Sequence, residues 1–207
     1  MPNDKAGEIP PHQNTQRICR EIKALRKAKR LTLRQLGERC GRTAGYLSQV
    51  ENGTVVPSID SISRIAEALG VETNWFFPAT TGASDAEAAI VVRNQGRRRI
   101  SHSYSFDTQE LGYQDFLLSA DLTLDLIMGM TRLEPGGKSR GVPTKGQGHF
   151  CGFVKTGRVN LTVGQEQFVL GEEDSFSFDM TIAHDFANAH DDVTEVVWTV
   201  TPAHLDF

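Results

Sequence analysis

The sequence predicts a two-part chain, a small all-helical domain followed by an all-β sandwich or barrel. Two observations carry this. From about residue 15 to residue 77, apolar residues recur at spacings of three and four, the mark of amphipathic helices. From Ile90 onward the spacing drops to near two, in short segments broken by Gly, Pro and Asp, as in strands joined by turns. Between them, residues 78–89 (PATTGASDAEAA) are small, polar and poor in apolar side chains, as an interdomain linker is.

Residues 1–14 are polar, contain Pro2, Pro10 and Pro11, and have little to bury, so we expect a disordered tail. A first helix is expected from about Thr15 to Lys29, with Ile18, Ile22 and Leu25 as its core stripe. A second carries Leu33, Leu36 and Cys40, capped by Thr32 and ended by Gly41, which accepts a left-handed backbone at low cost. A third, roughly Ala44 to Asn52, carries Leu47 and Val50 and is capped by Thr43. Ser58 can cap a fourth helix through Leu69, with Ile59, Ile62, Ile65, Ala66 and Leu69 on one face and Gly70 as its stop. Glu72 to Phe77 is expected as a short fifth helix whose Trp75, Phe76 and Phe77 close the core. The helical domain thus spans residues 15–77 and the β domain residues 90–207.

Composition bounds the class of protein. The chain has 207 residues, 39% hydrophobic and 23% charged, which disfavours both a disordered and a membrane protein. No apolar run approaches the roughly eighteen residues of a spanning helix, and the N-terminus has no apolar core or cleavage signal. Three distant cysteines, Cys19, Cys40 and Cys151, argue against a disulfide framework and fit a reducing cytoplasm. Residues 1–80 hold 12 Lys+Arg against 8 Asp+Glu, and residues 81–207 hold 10 against 18; the resulting +4 and −8 make up the net −4. A basic helical half suits a polyanionic partner, and the acidic half suits a separate control domain. Arg97-Arg98-Arg99 stands beside a strand in that acidic half, where we read it as a solvated edge or an interdomain salt-bridge donor.

The turn Gly41-Arg42-Thr43 is short enough to set its two helices at a steep angle, the arrangement of a DNA-binding helix-turn-helix. The second of the two would read the major groove. Ala44 and Gly45 allow close approach, Gln49 can pair with adenine, and Tyr46 can touch a thymine methyl or a phosphate. We take Thr32, Arg34, Arg42, Thr43, Ala44, Gly45, Tyr46, Ser48, Gln49 and Asn52 as the candidate DNA-binding set, with Arg34 and Arg42 on phosphates.

The surroundings resemble the phage-repressor (Xre-type) helix-turn-helix family over about sixty residues. The matching residues include Leu31-Thr32, Gln35-Leu36, Gly41, Tyr46-Leu47-Ser48, Glu51-Asn52-Gly53, Pro57-Ser58 and Ala68-Leu69-Gly70-Val71. The resemblance implies a five-helix lambda-repressor-like domain, double-stranded operator DNA as partner and a homodimer on a two-fold site.

The β half is similar to the cupin fold, a double-stranded β-helix or jelly roll. The residues that match are Leu133-Glu134-Pro135-Gly136-Gly137, Gly148-His149-Phe150 through Gly157, Asp174-Ser175, Phe178, and His184 with Asn188. Metal-binding cupins carry two histidines and a glutamate in the first motif and a histidine in the second. Here the glutamate position is Phe150, the upstream region Pro143-Thr144-Lys145-Gly146 has no histidine, and His184 alone keeps the second motif. His149, Cys151 and His184 remain as weak metal candidates. Alternation puts His149 on the face opposite Phe150 unless a bulge shifts the register. We therefore expect no required cofactor and no metal, and instead a small-molecule effector site drawn from Met128, Met130, His149, Phe150, Phe153, Phe178, His184 and Trp198, with Phe176 beside them. Those residues are equally what a barrel core requires.

The expected function is a sequence-specific transcription regulator, a repressor by the commoner polarity of such families, whose cupin domain binds an effector, dimerises, or does both. A DNA-binding antitoxin whose β domain grips a partner protein is the alternative. A metal-dependent cupin enzyme stands behind it, since the ligand set is incomplete and no nucleophile elbow or phosphate loop is present.

Overall fold

The computed structural model describes residues 11–77, 87, 89–100, 111–139 and 147–202. Residues 1–10 of the expected tail and most of the expected linker, 78–86 and 88, lie outside that set.

Four α-helices are present among the described residues: α1 (Pro11–Ala28), α2 (Leu33–Cys40), α3 (Ala44–Glu51) and α4 (Ile59–Ala68). The first begins at Pro11 rather than Thr15, so residues 11–14 are helical and not tail. Proline suits a first helical turn, where its missing N–H has no partner to lose. The expected fifth helix is a single 3-10 turn, Thr73–Phe76. Pro78 follows, and the residue before a proline is steered to extended backbone; Phe77 has φ −108° and ψ 124°.

The caps fall where the sequence places them. Thr32 and Gln35 form a capping box, each side chain accepting the other's backbone N–H at 3.1 and 2.9 Å. Thr43 accepts from Tyr46 N–H at 3.1 Å and Ser58 from Ser61 N–H at 3.2 Å. Gly41 ends α2 with φ 66°. Ile22, Leu25, Leu36, Leu47, Val50, Ile65, Leu69 and Phe76 are fully buried between the helices.

The second domain is a two-sheet antiparallel sandwich. One sheet has the order β1-β2-β3-β9-β4-β7 and the other β6-β5-β8. Their strands are β1 (Arg98–Ile100), β2 (Tyr113–Leu117), β3 (Ile127–Leu133), β4 (His149–Thr156), β5 (Val159–Val163), β6 (Glu166–Leu170), β7 (Ser175–Asp179), β8 (His184–Asn188) and β9 (Thr194–Thr201). The longest strands, β4 and β9, pair within the larger sheet, with a register shift between Val154 and Thr156. Asn188 ties the sandwich at one end. Its Nδ2 donates to the carbonyls of Leu133, Glu134 and Asp192, and its Oδ1 accepts from Thr194 Oγ1.

Candidate DNA-binding face and barrel interior

The start of α3 is presented outward and held from behind. Thr43, Gly45 and Gln49 are exposed, and a Cβ added at Gly45 would meet nothing within 4 Å. At the rear, Leu47 and Val50 are fully buried. Glu51, 6% exposed, accepts from Arg26 Nε at 2.6 Å and Nη2 at 2.9 Å, while Arg26 Nη1 donates to Leu31 O at 2.6 Å. This bidentate pair bolts the last turn of α3 to α1; with both side chains shielded, geometry rather than raw charge gives it value. Gly37 sets how closely α2 meets the turn into α3, since a Cβ there would lie 2.4 Å from Arg42 O.

Arg42 stands elsewhere than a free phosphate contact. Its Nη2 donates to Ser61 Oγ at 3.0 Å and Asp60 Oδ2 at 3.3 Å on α4, and its guanidinium lies 5.6 Å from the Tyr46 ring centroid. It braces the N-terminal end of α3. Arg34, with a side chain 85% exposed, pairs with Glu38 one turn on at 3.6 Å. Thr32 is spent on its cap, Asn52 ends α3 with its Oδ1 3.5 Å from Lys23 Nζ, and Ala44, Tyr46 and Ser48 are half-buried.

In the β domain, register decides which predicted residues share a surface. Phe150 pairs with Val200 and Phe178, and Gly152 with Trp198 and Phe176, so these side chains point to the interior. The smaller sheet adds Leu161, Phe186 and His184 from the facing side. The Phe150 ring centroid lies 5.3 Å from Phe178, 5.6 Å from Trp198 and 5.9 Å from Phe176, all near-parallel, and 6.0 Å from Phe186 across the sandwich. Two glycines make room for the rings. A Cβ at Gly129 would lie 2.3 Å from Trp198 Cζ2, and one at Gly152 2.7 Å from Phe176 Cζ.

A polar chain runs along the same inner face. Trp198 Nε1 donates to Thr131 Oγ1 at 2.9 Å, Thr131 donates to buried Asp115 Oδ1, and the Tyr113 hydroxyl donates to Asp115 Oδ2. Burial, reinforced by the Asp115 carboxylate, pushes the Tyr113 hydroxyl well above the usual phenol range, so it stays a donor. His184 Nδ1 lies 3.0 Å from Ile182 O, which accepts its proton and leaves Nε2 as the acceptor nitrogen of the neutral ring. Burial lowers the His184 pKa, partly offset by that carbonyl and by Asp185. The imidazole is neutral at neutral pH.

Residues of metal-binding type do not converge. Neighbours in a strand face opposite ways, so His149 and Cys151 lie exposed on the outer face of β4, while His184 faces inward. Phe150 fills the inward position between them with a ring. No group of three or more His, Cys, Asp or Glu able to hold a metal ion exists among the described residues. Among the described residues, Phe150 and a single inward histidine, His184, stand where metal-binding cupins carry ligands.

A helix-turn-helix family model matches residues 22–76, and a cupin domain model matches residues 129–200. The HTH-type transcriptional regulator PuuR of Escherichia coli is 23% identical over 187 residues, 88% of this chain and 94% of that protein. Uncharacterized HTH-type transcriptional regulators of Sinorhizobium fredii and Mycobacterium tuberculosis are 36% and 48% identical over 58 and 56 residues. Those shorter matches span 28% and 27% of this chain, and only 30% and 40% of the relatives' own length. Among solved structures, a helix-turn-helix family regulator from Vibrio cholerae aligns over 92% of this chain and 97% of its own, at 16% identity and a TM-score of 0.42. The chain is a DNA-binding transcription regulator that joins a helix-turn-helix domain to a cupin domain.

Within this regulator the predicted effector set divides. Phe150, Phe178, His184 and Trp198 meet in the interior, with Phe176. Met128, Met130, His149 and Phe153 do not join them, because they occupy the alternate, outward positions of β3 and β4. Met130 is buried there, 3.9 Å from Arg97 Nη1, and Phe153 is 42% exposed. Sequence reasoning missed Tyr113, Asp115 and Thr131. The signal was present in Tyr113-Gln114-Asp115-Phe116-Leu117, where an acid takes an inward-alternating position. It also missed the Arg26–Glu51 pair, whose partners stand 25 residues apart. Among the described residues no helix is long and apolar enough to cross a membrane.

Proposed function

We propose that this regulator is a repressor that binds a two-fold operator as a homodimer, lays the start of α3 in the major groove, and answers to a small apolar effector through its β domain. The observation that carries the reading is the outward start of α3. Thr43, Gly45 and Gln49 are free of the core, while Glu51 is locked to Arg26 behind them. A rigid helix with a small, polar leading end is what base-edge reading requires. Gln49 supplies the base contact, Tyr46 a methyl or phosphate contact, and Arg34 a phosphate contact. Arg42 acts as a brace that orients Tyr46. The repressor polarity draws on the Immunity repressor protein of Bacillus phage phi105, 34% identical over 57 residues.

The β domain, in this reading, is a binding domain and not an enzyme. Its interior offers flat apolar rings, a neutral imidazole and one buried carboxylate already bonded to Tyr113 and Thr131. Such a lining favours an apolar, planar ligand that slots among rings. To switch the protein, that ligand must bind one arrangement of the two domains better than another.

The test is binding of the full-length protein to its own upstream DNA and to a random duplex over a salt series. A preference of roughly 10³ or more for the upstream duplex, lost in Gln49→Ala and reduced in Tyr46→Ala, is expected. Equal binding to both duplexes that vanishes with modest salt is phosphate attraction alone and overturns the reading.

A further inference from the structure

The middle arginine of the 97–99 run stands at the contact between the two domains. Arg98 Nη1 donates to Glu21 Oε2 on α1 at 2.6 Å, with the two side chains 18% and 25% exposed. Its Nη2 donates to Ala120 O at 3.1 Å and Ser119 O at 3.3 Å in the loop between β2 and β3. Its guanidinium lies 4.8 Å from the ring centroid of Trp75, in the 3-10 turn that closes the helical core. One planar group thus holds α1, the closing turn and a barrel loop together. The buried apolar side chains of both domains form one connected cluster around it.

The loop that Arg98 grips is also tied to the barrel interior. Leu118 and Ser119 N–H donate to Met128 O at 2.9 and 3.1 Å, and Met128 N–H donates to Ser119 Oγ at 2.8 Å. The next residue is Gly129, on which the Trp198 ring rests, and Trp198 stacks on Phe150. On the other side, α1 carries Glu21 and, further along the same helix, Arg26, which holds Glu51 of α3. A lysine could not replace this arginine. Its ammonium is a point donor without the fork that meets a carboxylate and two carbonyls at once, or the plane that stacks on an indole.

We propose that Arg98 is a positioning residue for operator binding: it fixes the DNA-binding domain on the barrel and relays the placement of Trp198 to α1. This rests on the reading of the chain as a dimeric regulator of a two-fold site. In such a dimer the two α3 helices must be held at a set separation, and a loose joint leaves that ordering to be done at the moment of binding.

The experiment uses the full-length protein with Arg98→Ala, Arg98→Lys, Trp198→Phe and the Arg98→Ala/Trp198→Phe double variant. Affinity is measured for the upstream duplex bearing the whole two-fold site and for one bearing a single half, alongside a calorimetric melt. Arg98→Ala is expected to weaken whole-site binding by about tenfold or more while half-site binding stays within about twofold, because only the linked arrangement is lost. Arg98→Lys should fall between wild type and alanine. Adding Trp198→Phe should cost little beyond Arg98→Ala alone, since coupled residues are not additive. The wild-type melt should be a single transition that Arg98→Ala splits into two. Equal losses on whole and half sites, no loss on either, or losses from Arg98 and Trp198 that simply multiply would overturn the proposal. Should wild type fail to prefer the upstream duplex at all, the operator reading fails. The melt then decides the joint by itself: a split supports it and an unchanged transition overturns it.

Discussion

The two domains set their shapes by different means. In the helical domain the fixing contacts are mostly short in sequence: Thr32 with Gln35, Thr43 with Tyr46 and Ser58 with Ser61 each join residues three apart. Longer-range ties, Arg26 on Glu51 and Arg42 on Asp60 and Ser61, then set the reading helix. In the barrel the shaping contacts are long in sequence. Asp115 meets Thr131, Trp198 meets Thr131 and Gly129, and Phe150 meets Phe186. Local caps set where these helices begin, while packing of their apolar faces supplies most of their stability. An interior built of stacked rings depends on every ring at once, since close-packed cores pass displacement on. The caps and side-chain ties fix the reading head, and in the proposed function the barrel is the part whose arrangement an effector would alter.

The largest expected effect breaks the shielded Arg26–Glu51 pair of the helical domain. Glu51→Ala leaves the Arg26 guanidinium shielded and without its carboxylate, a loss of about 3–5 kcal/mol for a broken buried pair. Domains hold only about 5–15 kcal/mol in total, so the helices should melt at a markedly lower temperature. Far-UV circular dichroism should lose helix signal while the near-UV signal of the barrel's packed rings persists. A helical domain that melts as in wild type would mean that the local caps suffice, and that the bidentate pair matters only for orientation.

A smaller effect probes the packed rings. Gly129→Ala places a methyl 2.3 Å from Trp198 Cζ2, so the indole must move or the strand must shift. Overpacking of this kind costs about 1–3 kcal/mol. It should also loosen the Trp198 bond to Thr131, seen as a change in near-UV circular dichroism and tryptophan emission. Gly37→Ala is its counterpart in the helical domain, where the intruding methyl meets backbone, Arg42 O at 2.4 Å. That change should spare the barrel signals and disturb operator binding. If Gly129→Ala leaves the Trp198 signal untouched, the ring has free space, and the interior is less tightly coupled than its stacking implies.

These contrasts also explain what was legible in the sequence. Helix positions, caps and the break at Gly41 were readable because each depends on residues three or four apart. The fifth helix shrank to a 3-10 turn because Pro78 ends it sooner than its apolar run suggests. In the barrel, strand character was legible, but the division between inner and outer faces was not. Met128 and Phe150 carry the same kind of side chain, and only pairing with β9 and β7 separates their faces. The brace that Arg42 forms was hidden for a related reason. Its partners Asp60 and Ser61 lie on another helix, and nothing near Arg42 in the sequence announces them.

The smallest expected effect uses pH to ask how dry the interior is. Burial holds the His184 pKa below the ordinary imidazole value of about 6.5. In the unfolded chain that ring takes up a proton first as the pH falls, so protonation favours unfolding. Barrel stability should be full above about pH 6.5 and decline below it, down through the folded-state value, with a slope of no more than a single proton. Glu172 and Asp179 act in a separate and lower window. Hydrogen bonds from Gly157 N–H to Glu172, and from the Thr181 hydroxyl and N–H to Asp179, hold those carboxylates below their usual range. Their contributions are lost only in stronger acid. Denaturant melts of wild type and His184→Phe between about pH 7.5 and about pH 5.5 separate the effects (about one unit to either side of the imidazole value). The substitution replaces the imidazole by a ring like its neighbours Phe150 and Phe178, and it should remove the decline. A slope that survives in His184→Phe would place the proton elsewhere. It would also mean that water already reaches the rings around His184, which would make the barrel interior an open site before any ligand enters it.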